Sequence, residues 1–269
     1  MVLSMTKGHT EKIVLVVPIS HTHYLVPPTG LGYLATALRQ SGFTDITILD
    51  CVKEGLSFNG LSERFRKLKP KIVGFQVFSY DFDSVVRSIG ILKKVCPETT
   101  ILIGGAHVSA TSMTVLEEIE EADYGFAGEG EIGLPMLAKH ILRDEIIPLE
   151  SIPGLIWRNG SSICNNERAG TEDLDSLGFQ AWDLMEPVSY NGSPQGGFYK
   201  RFPIAPISTT RGCPYLCTFC GSGVNMGHKL RFRSMDHVLD EMVMLYDDYG
   251  VREYHIIDDM FNFHKNRVF

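Results

Sequence analysis

Cys213, Cys217 and Cys220 stand close together in the segment Arg211-Gly212-Cys213-Pro214-Tyr215-Leu216-Cys217-Thr218-Phe219-Cys220. Their spacing is C-x3-C-x2-C. Three thiolates on a short loop can converge on one face of a cubane, and cysteine is the usual ligand of iron–sulfur centres. Three ligands for four irons leave one iron open to a substrate or cofactor. A closed structural zinc site wants a fourth cysteine or histidine instead. His228 lies eight residues beyond Cys220 and is placed to complete such a site, so spacing alone leaves zinc as the plainer alternative. Cys51, Cys96 and Cys164 are scattered and read as structural thiols.

A cysteine loop needs a rigid base, and its flanks supply one. Residues 204–209 read as a short strand, interrupted by Pro206 and so irregular at its start. Beyond the loop, Ser234 is an N-cap with Asp236 in the first turn. Leu239, Met242, Val243 and Tyr246 then give a helical face, and residues 253–257 read as the next strand, ending at Asp258-Asp259. Strand, loop, helix, strand is the opening of a β/α barrel, whose active groups sit on carboxyl-end loops. Arg231, Arg233 and Glu241 read most simply as surface ion pairs.

The first half of the chain has a different rhythm. Strand-like runs at 13–18, 45–49, 72–75, 100–103 and 123–127 are mostly continuous and rich in Val and Ile, as in parallel strands covered on both faces. Between them, Leu31, Leu34, Ala35 and Leu38 fall at helical spacing, and Leu134, Leu137, Ala138 and Ile141 repeat the pattern. This predicts an α/β fold with a five-stranded, doubly wound parallel sheet. Ligands of such sheets bind outside the carboxyl ends of the strands. The loops expected there are Ser20-His21-Thr22-His23, Gly104-Gly105-Ala106-His107 and Gly128-Glu129-Gly130-Glu131. Glycines in such loops let the backbone approach a bulky ligand. No G-x-G-x-x-G follows the first strand, which disfavours an ordinary dinucleotide site.

Residues 155–158, Asn159-Gly160 and 161–164 predict a β-hairpin with a type I′ turn. Residues 165–203 read as a linker laid over one domain surface, with Trp182-Asp183-Leu184 as an anchor. The aromatic and glycine-rich run from Tyr190 to Phe202 reads as a lid or a plain linker.

Composition narrows the function class. The chain has 269 residues, 44% of them hydrophobic, with a net charge of −7. That is apolar enough for a sizeable core, and the charge argues against a broad basic face for duplex nucleic acid. No apolar run is as long as a bilayer span, and the N-terminus does not read as a secretory signal. Clustered cysteines in a chain of this size with no signal point to a reducing, cytoplasmic setting.

The segment from Arg211 to Cys220 resembles the cluster-binding loop of the radical S-adenosylmethionine superfamily. The whole chain resembles the branch in which a cobalamin-binding-type domain precedes the radical domain. The matching residues are Pro27-Pro28-x-Gly30 with Leu34-Ala35, Gly104-Gly105-x-His107, Asp123 with Gly128-Glu129-Gly130-Glu131, Pro153-Gly154-Leu155, Trp182-Asp183, the cysteine loop, Arg231-x-Arg233 and Asp258-Asp259-x-Phe261. The resemblance implies a cobalamin-binding-like domain over 12–145, a hairpin and linker over 146–203, and the start of a radical β/α partial barrel over 204–269. Cys213, Cys217 and Cys220 are then the metal ligands, holding a [4Fe-4S] cluster whose open iron chelates S-adenosyl-L-methionine. An external one-electron reductant drives cleavage to a 5′-deoxyadenosyl radical, which activates a small-molecule substrate. Gly104, Gly105, His107, Gly128, Glu129 and Gly130 become cobalamin-binding candidates, and Asp258 a contact to the methionine amino group.

The implied reaction is methyl transfer, or a radical rearrangement or cyclisation. Some cobalamin domains carry Asp-x-His-x-x-Gly after the first strand, with the histidine on cobalt. Here His21 and His23 lack those neighbours, which implies cobalamin bound without an axial histidine, or a domain that has lost the cofactor. Two alternatives stand beside this reading: a non-catalytic cobalamin- or metal-binding fragment, and a methylthiotransferase, whose first domain would need a second cysteine trio where only Cys51 and Cys96 occur. Sixty-six residues from Ile204 give roughly two βα units, so the radical domain reads as C-terminally truncated, and the chain is expected to be a fragment or to need a partner and not to turn over alone.

Overall fold

Side-chain alternation along the first strands builds two apolar layers. The protein is described here by a computed structural model covering residues 11–22, 25–190 and 198–265. Strands β1 (Ile13–Val17), β2 (Ile46–Asp50), β3 (Ile72–Gln76), β4 (Thr100–Gly104) and β5 (Tyr124–Phe126) pair in parallel. Ile13, Leu15, Ile72 and Leu102 face one cluster, and Val14, Val16, Val73 and Ile101 the other, the period of two expected of a pleated strand. The first cluster is covered by α1 (Thr29–Gln40) and α6 (Gly133–Leu142). The second is covered by α2 (Phe58–Leu68), α3 (Phe82–Val95), α4 (Ala106–Thr111) and α5 (Thr114–Glu118). The doubly wound sheet and its five parallel strands are as expected.

The sheet is larger than expected. Strands β6 (Leu155–Asn159) and β7 (Ser162–Asn165) form the expected hairpin, but β6 pairs antiparallel with β5, giving seven strands in the order β2-β1-β3-β4-β5-β6-β7. Leu155 and Ile156 are buried against opposite faces of that sheet, which draws the hairpin out of the linker. The turn also differs. Asn159 pairs with Ser162, so the central residues are Gly160 and Ser161. Only Gly160 has positive φ (61°), the pattern of a type II′ turn rather than I′. The strand order reverses direction between β1 and β3, the switch point where such sheets open a crevice at their carboxyl edge.

The rest of the chain packs on the α1/α6 face. A short helix α7 (Trp182–Met185) buries Trp182 there, as an anchor in the linker should. Strand β8 (Ile204–Ile207) continues into β9 (Thr210–Arg211). The cysteine loop, which contains α8 (Ser222–Met226), returns through β10 (Arg231–Phe232). Helix α9 (Met235–Asp248) and β11 (Glu253–Ile256) complete a βαβ unit in which β11 runs parallel to β8. Ser234 caps α9 by accepting from the His237 N–H. Ala205, Ile207, Val238 and Leu245 share one apolar cluster with β1 and α1, so this unit has no separate core.

The buried face of α9 is not the expected one. Val238, Glu241 and Leu245 turn inward and Met242 is half-buried, whereas Leu239, Val243 and Tyr246 are about half exposed. Apolar residues occupy both sides of α9, and the side holding Val238 and Leu245 meets the linker and β8. Residues 191–197 of the expected lid or linker, and His23, lie outside the described residues. Among the described residues, no helix is long and apolar enough to cross a membrane.

Candidate functional site

The cysteine loop is closed at its neck. Arg211 of β9 and Arg231 of β10 stand directly opposite each other in a two-residue antiparallel ladder. Inside the neck, the Cys213 N–H donates to the Gly227 carbonyl at 3.2 Å. Gly212 has φ 87°, and a Cβ there would meet the Lys229 carbonyl oxygen at 2.3 Å. Glycine is therefore the residue that lets the chain turn into the loop. We expect Gly212→Ala to lower stability by about 1–3 kcal/mol, read as a lower urea midpoint at unchanged m-value.

Cys217 and Cys220 are exposed and Cys213 is half-buried. The Cys220 thiol accepts from the Ser222 N–H at 3.5 Å. His228, the candidate fourth zinc ligand, places Nδ1 3.2 Å from the Cys213 carbonyl oxygen, and its ring packs on Gly223. Among the described residues no three His, Cys, Asp or Glu side chains are gathered tightly enough to hold a metal ion. The thiols share one loop without converging. Three soft donors on an accessible loop nonetheless suit an iron–sulfur cluster with one iron left open.

Below the loop lies a buried ionic network. Glu129 accepts from Arg211 and from Arg231, each at 3.1 Å through Oε2, and Glu131 accepts from Arg211 at 2.7 Å. All four side chains are less than a tenth exposed. Burial by itself lowers the Arg211 guanidinium, but Glu131 and Glu129 outweigh it and hold the group above its ordinary value. Arg211 also lies 4.8 Å from the Tyr33 ring centroid, and burial pushes the Tyr33 phenol up to about 12. A second network joins Arg233 to Glu241 at 2.6 Å, with the Trp182 indole N–H donating to the same carboxylate at 2.8 Å. Arg231, Arg233 and Glu241 thus make ion pairs as expected, but buried ones. Arg231 finds Glu129 in a distant segment, while Arg233 and Glu241 are eight residues apart and are met by Tyr33 and Trp182 from elsewhere in the chain.

The sheet-edge loops meet this region. Gly105 has φ 108°, and a Cβ there would lie 2.9 Å from the Val77 carbonyl oxygen. His107 places Nδ1 3.0 Å from the Ser79 hydroxyl, while its Nε2 is buried without a protein partner. That orphaned nitrogen beside Gly104 and Gly105 fits a polar group of a bound ligand. Near the β1/β3 switch, Asp81 is buried, which raises its carboxyl above the usual range against the opposing effects of Ser20 and His21. Helix α4 is tied to α8: the Ser109 hydroxyl accepts from the Gly128 N–H at 2.9 Å and contacts Asn225 at 3.0 Å. Arg168 bridges the same helices through the Ser109 and Val224 carbonyls.

Gly128, Glu129, Arg168, Asn225, His228 and Arg231 help line a cleft of about 230 Å³ between the sheet edge and the cysteine loop. Asp258 follows β11 and accepts from the Thr209 and Thr210 N–H groups at 2.6 and 3.0 Å. Its carboxylate therefore braces the β8–β9 junction. Thus Gly128 and Glu129 lie beside the cysteine loop, while His107 sits in the first turn after β4, bonded to Ser79 and packed on Phe82. Ser109, Arg168 and Asn225 were not singled out by sequence. Their only signal is proximity to the glycine loops and cysteines.

Residues 15–138 match the model of the B12 binding domain family. The chain is 28% identical over 246 residues to an uncharacterized methyltransferase of Pyrococcus horikoshii, covering 90% of this chain and 50% of that protein. It is 28% identical over 235 residues to the anaerobic magnesium-protoporphyrin IX monomethyl ester cyclase of Cereibacter sphaeroides, covering 87% of this chain and 37% of that one. Among solved structures, the radical S-adenosylmethionine methyltransferase TsrM of Kitasatospora setae, with cobalamin and a [4Fe-4S] cluster bound, superposes with a TM-score of 0.72 at 23% identity, covering 94% of this chain and 48% of that one. The chain spans about half the length, or less, of these relatives.

Proposed function

From the premise that this chain carries a B12 binding domain and is a homologue of cobalamin-dependent radical S-adenosylmethionine methyltransferases, we propose that it holds cobalamin at its sheet edge and a [4Fe-4S] cluster on Cys213, Cys217 and Cys220. The reaction we assign is methyl transfer to, or radical cyclisation of, a small-molecule substrate in the cytoplasm, with electrons from an external one-electron reductant. The observation that carries this reading is the position of the cysteine loop. It follows β8 of a βαβ unit and rests on the β5–α6 loop of the B12-type sheet, beside Gly128 and Glu129.

When bound, the cluster and cobalamin supply one-electron cleavage of S-adenosylmethionine and carriage of a methyl group. The chain's own residues do the rest. Cys213, Cys217 and Cys220 provide three thiolates and no fourth ligand, leaving room for S-adenosylmethionine. Gly105 lets the turn after β4 pack on the Val77 backbone, where a Cβ would stand 2.9 Å from the carbonyl oxygen, and His107 Nε2 would offer a corrinoid one polar contact. His21 and His23 lack the Asp-x-His-x-x-Gly neighbours, so this chain would hold a corrinoid through its sheet-edge loops and not through a histidine after β1. Asp258 and the two glutamates of the β5–α6 loop hold the loops in register.

The test is an anaerobic assay of reconstituted protein with S-adenosylmethionine, hydroxocobalamin and a low-potential reductant. Uptake of both cofactors is expected. Formation of 5′-deoxyadenosine, with S-adenosylhomocysteine if methyl transfer is the reaction, separates a chain that turns over alone from a binding module, and protein that takes up neither cofactor sinks this reading. A methylthiotransferase is disfavoured by the first-domain thiols. Cys51 is buried, which pushes its thiol up to about 12, and the Cys96 thiol donates to the Phe65 carbonyl at 3.5 Å.

A further inference from the structure

Arg211 and Arg231 are cross-strand partners in the ladder that closes the cysteine loop. Like charges directly opposite on an antiparallel pair are destabilising, and these two guanidiniums are buried, where repulsion is screened least. One carboxylate lies between them. Glu129 Oε2 is 3.1 Å from the Nη1 of each arginine. Glu131 bonds Arg211, the remaining hydrogen-bond acceptors of Arg231 are the Thr171 and Met226 carbonyls at 2.8 and 3.2 Å, and Glu172, exposed and paired with Lys229, acts on Arg231 only at longer range. Room for the arrangement is made by Gly170, where a Cβ would stand 2.5 Å from Arg231 Nη1.

We propose that Glu129 is a positioning residue for the three cysteines: its carboxylate neutralises the facing arginines and so closes the neck of the loop that presents Cys213, Cys217 and Cys220. The part played by the thiols rests on the cluster reading given above. Closure of the neck does not, because it follows from charge and geometry alone. The consequence is that the B12-type sheet helps to set the arrangement of the cysteine loop through its β5–α6 loop, with Glu129 as the one side chain that reaches both arginines of the neck. Neutralising Glu129 leaves the two facing cations with Glu131 on Arg211 and no carboxylate bonded to Arg231 among the described residues, and beyond the two-residue ladder the neck is held by the Cys213 N–H to Gly227 carbonyl bond at 3.2 Å.

The experiment is hydrogen exchange on the metal-free full chain, followed by anaerobic iron–sulfur reconstitution of the same proteins. In Glu129→Gln, amides within 212–230 should exchange about tenfold faster than in the parent, with those of β1, β3 and β4 unchanged. Iron uptake should fall in parallel. The double variant Glu129→Gln/Arg231→Met removes the carboxylate and one of the facing charges together, and should return the loop toward parental exchange and iron content. A residue that mattered only as packing would give a double variant worse than the single.

Parental exchange in Glu129→Gln, or a double variant no better than the single, would overturn the proposal. Should the single variant fold too poorly to measure, the double variant is compared with the parent directly: a closed loop supports the charge account and an open one overturns it. Parent protein that takes up no iron rejects the cluster reading, and the exchange data then decide the role of Glu129 alone.

Discussion

Cys217→Ala is expected to take reconstituted protein from roughly four irons per chain to about none, with loss of the cluster's visible absorption. Its unfolding free energy should stay within about 0.5 kcal/mol of the parent. Both halves follow from where the thiol sits. Cys217 is exposed on the loop, so its removal opens no cavity. Two remaining thiolates cannot hold a cubane at three corners, and the loop offers no substitute, because His228 is engaged with the Cys213 carbonyl and packed on Gly223. Cys164→Ala, a half-buried thiol on the β7 hairpin strand, should keep its full iron content. Iron loss of equal size in both variants would show that the cysteine loop is not the ligand set.

Glu241→Ala should cost about 3–5 kcal/mol of stability, read from chemical denaturation. Glu241 is fully buried and receives Arg233 at 2.6 Å and the Trp182 indole at 2.8 Å. Truncation removes the bonded carboxylate of a buried guanidinium and the acceptor of a buried indole N–H at once, a costly kind of polar deletion. The effect should spread beyond α9. Trp182 ties the linker to α9, and Arg233 also donates to the Ser208 carbonyl at 2.9 Å, next to the turn into the cysteine loop. Glu241→Gln keeps a hydrogen-bonding side chain and should lose distinctly less. A small, equal loss in both variants would place the ion pair among the dispensable ones.

Features encoded by short-range pattern were legible in the sequence. Continuous Val/Ile runs gave the five parallel strands within a residue or two, and the 3.6-residue spacing of Leu31, Ala35 and Leu38 gave α1. Ser234 marked the start of α9 because capping is a local hydrogen bond. What escaped depends on distant partners. The hairpin's membership in the sheet is settled by β5, about thirty residues upstream of β6, and not by its own alternation.

Burial of Arg231 escaped for the same reason, since a charged residue reads as surface until its counter-ion is known, and burial of Arg233 escaped because Tyr33 and Trp182, which meet its ion pair with Glu241, are distant in sequence. Glu129 and Arg231 are 102 positions apart. The Gly128-Glu129-Gly130-Glu131 loop was legible as lying at the carboxyl edge of the sheet, after β5. That its carboxylates turn toward two arginines at the neck of the cysteine loop was not. The inward face of α9 was misassigned because Leu239, Val243 and Tyr246 are as apolar as Val238 and Leu245, and only packing against the linker distinguishes the two sides.

The central claim is that one chain joins a corrinoid site on its sheet to a three-cysteine cluster on the loop after β8. Its most direct measurement is the cofactor content of a single sample. The full chain is reconstituted anaerobically with iron, sulfide and hydroxocobalamin, desalted, and assayed for iron, zinc and corrinoid per polypeptide. The account predicts roughly four irons and about one corrinoid per chain, with no zinc. Colourless protein carrying about one zinc per chain would contradict it.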